Sequence, residues 1–322
     1  MSYIEHWTEE ELKALERKLD KQYREAWKDL NAKARAYFLR YAKRWEKEYK
    51  AYQDGKYTTD EFRLWEQSQL ARGQHWDDLR DKMAERLTNT NVISASYIED
   101  AIINIFCENY NYAAYTVEGY AQNYISSIQM GADFDLMNEA VLRRLLLKNP
   151  RLLPLPSVDI PKDQQWNKKK LQSCLMQSIL QGEGIGDMAD RFQQVAVMNR
   201  ASAIRSARTA TTGAQNGGTY EAYTAAEKIG IQIQDEWIAT HDYRTRDSHR
   251  ALDGTRVKHG ERFANGLRFP GDMLYGTARE LYNCRCTTRA IISGINDSDP
   301  VDLSHWGGGA KEYAAWKRGK RR

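Results

Sequence analysis

The sequence predicts an α+β fold that is predominantly α: a long N-terminal helical hairpin or bundle, followed by a small α+β C-terminal domain. Three observations carry this. From Glu9 to Tyr52 there is neither Gly nor Pro, and apolar residues recur at helical spacing. Four of the six prolines fall in "NPRLLPLPSVDIP", a stretch that neither a regular helix nor a central strand accommodates. After Gly230 the pattern turns to alternation in "IQIQDEWIAT", the period of a half-buried strand.

In chain order, Leu12, Leu15, Leu19, Tyr23, Ala26, Leu30, Tyr37 and Tyr41 form one apolar stripe at spacings of three, four or seven, which predicts a single long amphipathic helix. "QDGKYTTDEF" breaks it at a Gly turn. Thr58 and Glu61 then have the spacing of a capping box for a second helix, reaching about Leu87 and completing a hairpin. "NVISASYIEDAIINIFCENYNYAAYTVEGY" restarts as helix, with Ile98, Ile102, Ile105 and Phe106 on one side and Cys107 in the same core. The Pro-rich stretch divides the chain near 150–161. "KDQQWNKKKLQSCLMQSILQGEG" is a further helix with Cys174 as a packing residue, and the segment up to Gly230 holds two more, bent near Asn199.

Beyond Gly230, Ile231, Ile233 and Trp237 mark a strand, Asp253–Gly254 a tight turn, and "CRCTTRAII" a closing strand. The expected organisation is a helical region over 1–149, a linker over 150–161, a helical and then α+β domain over 162–292, and a flexible basic tail over 293–322.

Residues 41% hydrophobic, 29% charged and 11% aromatic suit a globular chain with large polar helical surfaces and argue against wholesale disorder. No run approaches the roughly 18 apolar residues needed to cross a bilayer, and the acidic, amphipathic start does not read as a secretory signal, so a cytoplasmic site of synthesis and no membrane partner are expected. The net charge of +4 is unevenly spread: Lys and Arg exceed Asp and Glu by 7 over 162–322. An anionic partner, with non-specific DNA the first candidate, is expected for that half. The tail cations Lys317, Arg318, Lys320, Arg321 and Arg322 are its candidate nucleic-acid contacts.

Cys284 and Cys286 stand one residue apart in a chain with only four cysteines. On a strand they face one way, with Arg285 and Arg289 on the other side. Two thiolates so placed can share a metal, and a zinc site would draw its further ligands from "THDYRTRDSH", which offers His241, Asp242 and His249. The spacing fits no standard zinc-finger formula. The same residues serve equally as a packed pair docked on the charged loop, and a catalytic His and Asp with an Arg for a phosphate is the third alternative. There is no Walker loop, GxSxG elbow or HExxH.

The order Trp237, "HDYRTRDSHRALDG", Pro270–Gly271 and "YNCRC", preceded by helical "ARTATTGAQNGGTYEAY", resembles the Mu F-like phage head morphogenesis family of minor capsid proteins, over about residues 185–292. Its pattern falls on Trp237, Asp242, Arg246, His249, Gly254, Asn283, Cys284 and Cys286, carried over as a family signature and structural latch rather than as catalytic residues. The resemblance implies a structural component of a tailed-phage head, acting in procapsid morphogenesis near the portal and in DNA packaging or ejection. Its partners would be the portal, other head proteins and DNA, and its place the virion, with the host cytoplasm during assembly. Some relatives carry toxin or transferase domains after the signature, for which the residues beyond 292 are too few. A zinc-dependent enzyme acting on nucleic acid or protein is the alternative function.

Overall fold

The computed structural model describes residues 2–71, 74–124, 134–181, 183, 185–292, 301–302 and 309–320. Its helices are α1 (Tyr3–Gln53), α2 (Thr59–Ala71), α3 (Gln74–Tyr124), α4 (Glu139–Lys148), α5 (Ile160–Gln181), α6 (Ile185–Lys228), the one-turn α7 (Asp247–Arg250) and α8 (Ala278–Leu281), and α9 (Ala310–Lys320). Four strands, β1 (Ile233–Ile238), β2 (Arg256–Lys258), β3 (Thr287–Ile292) and β4 (Val301–Asp302), form one antiparallel sheet in the order β2-β1-β3-β4. The fold is α+β and mostly helical.

The chain divides into two compact units that interleave in sequence. One is built from 1–16, 98–156 and 205–322, the other from 17–97 and 157–204. The boundaries of these units cut through α1, α3 and α6, each of which supplies residues to both, and do not follow the linear division at 150–161 expected above.

The second unit is a helical bundle. Its core gathers Leu30, Phe38, Trp76, Met83, Leu87, Leu171, Leu175, Phe192 and Val195. Through it runs a buried polar chain: the Asn167 amide donates to Thr88 Oγ1, Asn199 to Asn167 Oδ1, and Asn91 to Asn199 Oδ1, while Tyr23 donates its hydroxyl proton to Asn91. These residues explain two differences from expectation. The helix does not restart at Asn91, since α3 runs through it, and α6 is a single helix through Asn199. Thr88, Thr90 and Ser94 return their hydroxyl protons to the carbonyls four residues back, so the polar run satisfies itself inside the helix.

In the first unit, the C-terminal half of α6 is the central element. Gly218 lies against Phe106 of α3, and Gly213 against Pro154 and Gly271. One face of the sheet carries a cross-strand row in which Glu236 of β1 pairs with Arg256 of β2 and Arg289 of β3, both directly opposite it in register. On the other face of β1, buried Asp235 accepts from His259 Nδ1 at 2.8 Å, and His259 Nε2 lies 2.9 Å from Thr224 Oγ1 of α6. Residues 310–320, expected as part of a flexible tail, are α9, whose buried Tyr313 packs with Tyr3, Tyr112 and Tyr115. Lys317 pairs with Glu108 and Lys320 with Glu118. Among the described residues no helix is long and apolar enough to cross a membrane.

Candidate functional site

The Cys-x-Cys segment precedes β3 rather than lying in it. Three residues of α6 hold it from one side. The Asn283 amide donates to Thr209 Oγ1 at 3.1 Å, Thr212 Oγ1 donates to the Cys284 carbonyl at 2.6 Å, and the Asn216 amide donates to the Cys286 carbonyl at 3.2 Å. Asn216 Oδ1 also accepts from the Thr288 amide, so one side chain closes two backbone groups at the start of the strand. Asn283 has φ of 55°, a left-handed conformation that Asn tolerates better than most residues, and it turns the chain between α8 and the first cysteine.

From the other side comes the loop 239–250. His249 on α7 is 1% exposed, and its Nδ1 stands 3.5 Å from Sγ of Cys284 and 3.5 Å from Sγ of Cys286, themselves 2% and 3% exposed. Its Nε2 is 2.8 Å from Oε2 of Glu280 on α8. Trp237 packs edge-on against the imidazole, with ring centroids 5.2 Å apart, and belongs to the same apolar cluster as Leu252, Phe263, Leu267 and Leu281. Its indole N–H is buried and meets no acceptor among the described residues.

The structure thus brings together Trp237, His249, Cys284 and Cys286 and places the other candidate ligands elsewhere. Asp242 makes a two-pronged contact with the Arg285 guanidinium at 2.5 and 2.8 Å and caps the turn through the Arg244 amide and Thr245 hydroxyl. Arg285 holds its carboxyl well below the usual carboxylate range. His241 is mostly exposed and pairs with Asp253 at 3.2 Å, on the turn that Gly254 completes with φ of 72°. Arg246 donates to the Tyr282 carbonyl, tying the loop to the residue before Asn283.

The two thiols titrate as a pair. Cys286 is pulled far down, first by the hydrogen bond from Cys284 and then by His249, whereas Cys284 is pushed up by that same sharing and by burial. The pair gives up a first proton readily and a second with difficulty. Elsewhere, burial pushes Cys107 up to about 12 and also raises Cys174, which leaves both as inert packing thiols. Chemically, the site offers two sulfurs and one imidazole nitrogen in a dry cluster, suited to a shared proton or a soft cation.

The family described as Phage Mu protein F like protein matches residues 169–289, the span that contains α6, the loop and both cysteines. A 213-residue stretch, 63% of this chain, is 26% identical to Minor head protein GP7 of Bacillus phage SPP1 and covers 65% of it. Residues 169–289 form a Mu F-like region. A 148-residue stretch, 44% of this chain, is also 27% identical to NAD(+)-arginine ADP-ribosyltransferase EFV of Enterococcus faecalis, covering 30% of that protein. The chain spans less than two thirds of the length of either relative. No solved structure matches it at a significant level.

Within this Mu F-like region the signature residues have distinct tasks. His249 and the two cysteines form the cluster, Trp237 walls it, Asp242 and Arg246 pin the loop, and Gly254 and Asn283 turn the backbone. Sequence reasoning noted Thr209 only within the helical segment of the resemblance, not as a contact of the cysteine segment, and missed Glu280, Thr212 and Asn216. For the three on α6 a signal existed: spacings of three and four put small polar residues on one face of a helix that also carries Gly213 and Gly217. Glu280 lies four residues before Cys284, among residues with no visible period, and nothing there marks it.

Proposed function

We propose that the chain is a minor structural component of a phage head, taken up during head assembly beside the portal and engaged with DNA packaging or ejection. The observation that supports this best is the similarity to a protein named minor head protein over a stretch longer than the Mu F-like region, so that it includes part of the helical remainder. Burial of the His249–Cys284–Cys286 cluster at 1–3% exposure favours a latch within the fold over a site that receives a substrate. The named transferase activity is not carried over, because less than a third of that protein is matched.

DNA contact remains part of this reading, but the tail is not its natural seat. Lys317 and Lys320 are engaged by Glu108 and Glu118, and of the tail cations singled out from the sequence only Arg318 is both described and exposed; Arg321 and Arg322 lie outside the described residues. Arg244, Arg250 and Arg256 around the loop and β2 also pair with carboxylates, but their side chains are far more exposed than those of Lys317 and Lys320, which makes them the better candidates. Contacts to phosphate release counterions, so the expected binding is weak and falls steeply with salt.

The test is to purify heads from a productive infection and look for the chain by mass spectrometry, with cross-linking to identify its neighbour. Its presence with portal cross-links supports the reading in full, and presence with cross-links only to the shell protein removes the portal assignment. Its absence from purified heads ends the proposal.

A further inference from the structure

One ring nitrogen of His249 stands at the same 3.5 Å from two sulfurs. An imidazole nitrogen has a single in-plane lone pair or a single N–H, which aims at one partner. Equal distances put the nitrogen as near to one sulfur as to the other, which is the arrangement when all three atoms share one ion. A tetrahedral zinc ion bonded to thiolate at about 2.3 Å and to imidazole at about 2.0–2.1 Å sets sulfur and nitrogen about 3.5 Å apart. Both observed separations have this value. The three ligand atoms lie within 4.8 Å of one another.

The surroundings are those of a metal ligand set. The other ring nitrogen faces the Glu280 carboxylate at 2.8 Å, an acceptor that favours the tautomer with the proton on Nε2 and the Nδ1 lone pair toward the sulfurs. Ser248 Oγ in turn lies 3.3 Å from the same carboxylate oxygen. Thr212 and Asn216 fix the carbonyls of both cysteines, so the sulfurs are held before any ion arrives.

We propose that Nδ1 of His249 and the sulfurs of Cys284 and Cys286 bind one zinc ion, with Glu280 as the positioning residue. The ion clasps the loop 239–250 to the Cys-x-Cys segment and so to α6. Thiolate with imidazole selects zinc over magnesium or calcium, which prefer oxygen. His241 and Asp242 are not ligands, being held by Asp253 and Arg285. Among the described residues no further His, Cys, Asp or Glu joins the group. The inference stands whether or not the chain lies beside a portal.

The full-length chain, expressed with added zinc and purified without chelator, should carry about one equivalent of zinc and melt at a lower temperature once chelator removes it. Cobalt added to the stripped protein should give a sulfur-to-cobalt charge-transfer band. That band should weaken in Cys284→Ser and in Cys286→Ser, vanish when both are replaced, and persist in Cys107→Ser and Cys174→Ser. Glu280→Gln should keep the stoichiometry but bind roughly 10–100-fold more weakly. If the cysteine variants do not fold, X-ray absorption at the zinc edge of the wild-type chain decides: two sulfurs and a nitrogen sustain the proposal, while nitrogen and oxygen alone mean adventitious zinc and overturn it. Protein supplied with zinc that holds none, and melts identically with chelator, overturns it as well.

Discussion

A methyl group added to Gly218 would sit 2.3 Å from the Phe106 carbonyl oxygen and 3.1 Å from the Tyr110 nitrogen, both backbone atoms of α3 that cannot rotate aside. Gly119, also in α3, has nothing within 4 Å of the same position. Gly218→Ala is therefore expected to destabilise the protein by about 1–3 kcal/mol through forced separation of the two helices. Gly119→Ala should instead stabilise it by roughly 0.5–1 kcal/mol through helix propensity. Chemical denaturation of both variants checks this, and two losses of equal size would show that close approach is not what Gly218 provides. Asn216 has a comparable role in polar form. Asn216→Ala leaves the Cys286 carbonyl and the Thr288 amide without their partner, an expected cost on the order of 3 kcal/mol. Amide exchange at Thr288 should accelerate, and wild-type stability with unchanged exchange would remove Asn216 from the latch. At this scale His249, Trp237 and the cysteines were legible because their residue types are scarce and chemically pointed. Glu280 and Thr212 were not, because their partners lie 31 and 72 residues away and only the fold brings them together.

The elements follow the same division. The capping box that opens α2 is as its spacing implies: the Thr58 amide donates to Glu61 at 2.8 Å, and the Glu61 amide returns to Thr58 Oγ1 at 3.3 Å. Thr58→Ala should cost about 1 kcal/mol. The Glu61 carboxyl lies below its usual value of 4.5, first through the Thr58 amide and then through the Thr58 hydroxyl. A depressed carboxyl contributes stability that is complete above the unfolded value and is lost as pH falls through the folded one, so the gap between wild type and Thr58→Ala should narrow between pH 7 and about pH 3. Thermal unfolding at the two pH values measures it, and a gap that widens in acid contradicts the assignment. Helix continuity was less legible. Asn91 and Asn199 look like interruptions in an apolar stripe, since Asn in a helix interior competes with the backbone for hydrogen bonds. Here each is spent on the other and on neighbouring helices, which periodicity along a single helix does not display. For α9, six residues rich in Lys and Arg looked like a solvated tail, yet Tyr313 and Trp316, three apart, were the apolar face that seats it against Tyr115.

At the scale of the whole molecule, the order of residues along the chain is not the order of folding units. The unit that holds the His249 cluster needs residues 1–16 as well as 98–156 and 205–322: Thr8 accepts from buried Asn109, Glu16 pairs with Arg208, and Tyr3 packs between Tyr112 and Tyr313. The other unit likewise draws on both sides of the Pro-rich stretch, with Trp76 donating to Gln172 and Lys168 pairing with Asp81. A cut between Pro156 and Ser157 therefore divides both units, although it falls where a linear reading of the prolines would place a linker. Neither piece retains a complete core, and the surface it would expose is apolar enough to make isolated folding unfavourable. Fragments 1–156 and 157–322 should each lack a cooperative thermal transition when made alone. Made together, they should copurify and recover one, because association rebuilds both cores from their two halves. Circular dichroism melts and a pull-down on a tag carried by one fragment provide the measurement. A fragment 157–322 that melts cooperatively by itself at the temperature of the intact chain would mean that α6, the sheet and the cysteine cluster form an independent domain, and that the first sixteen residues and the C-terminal half of α3 are accessories to it.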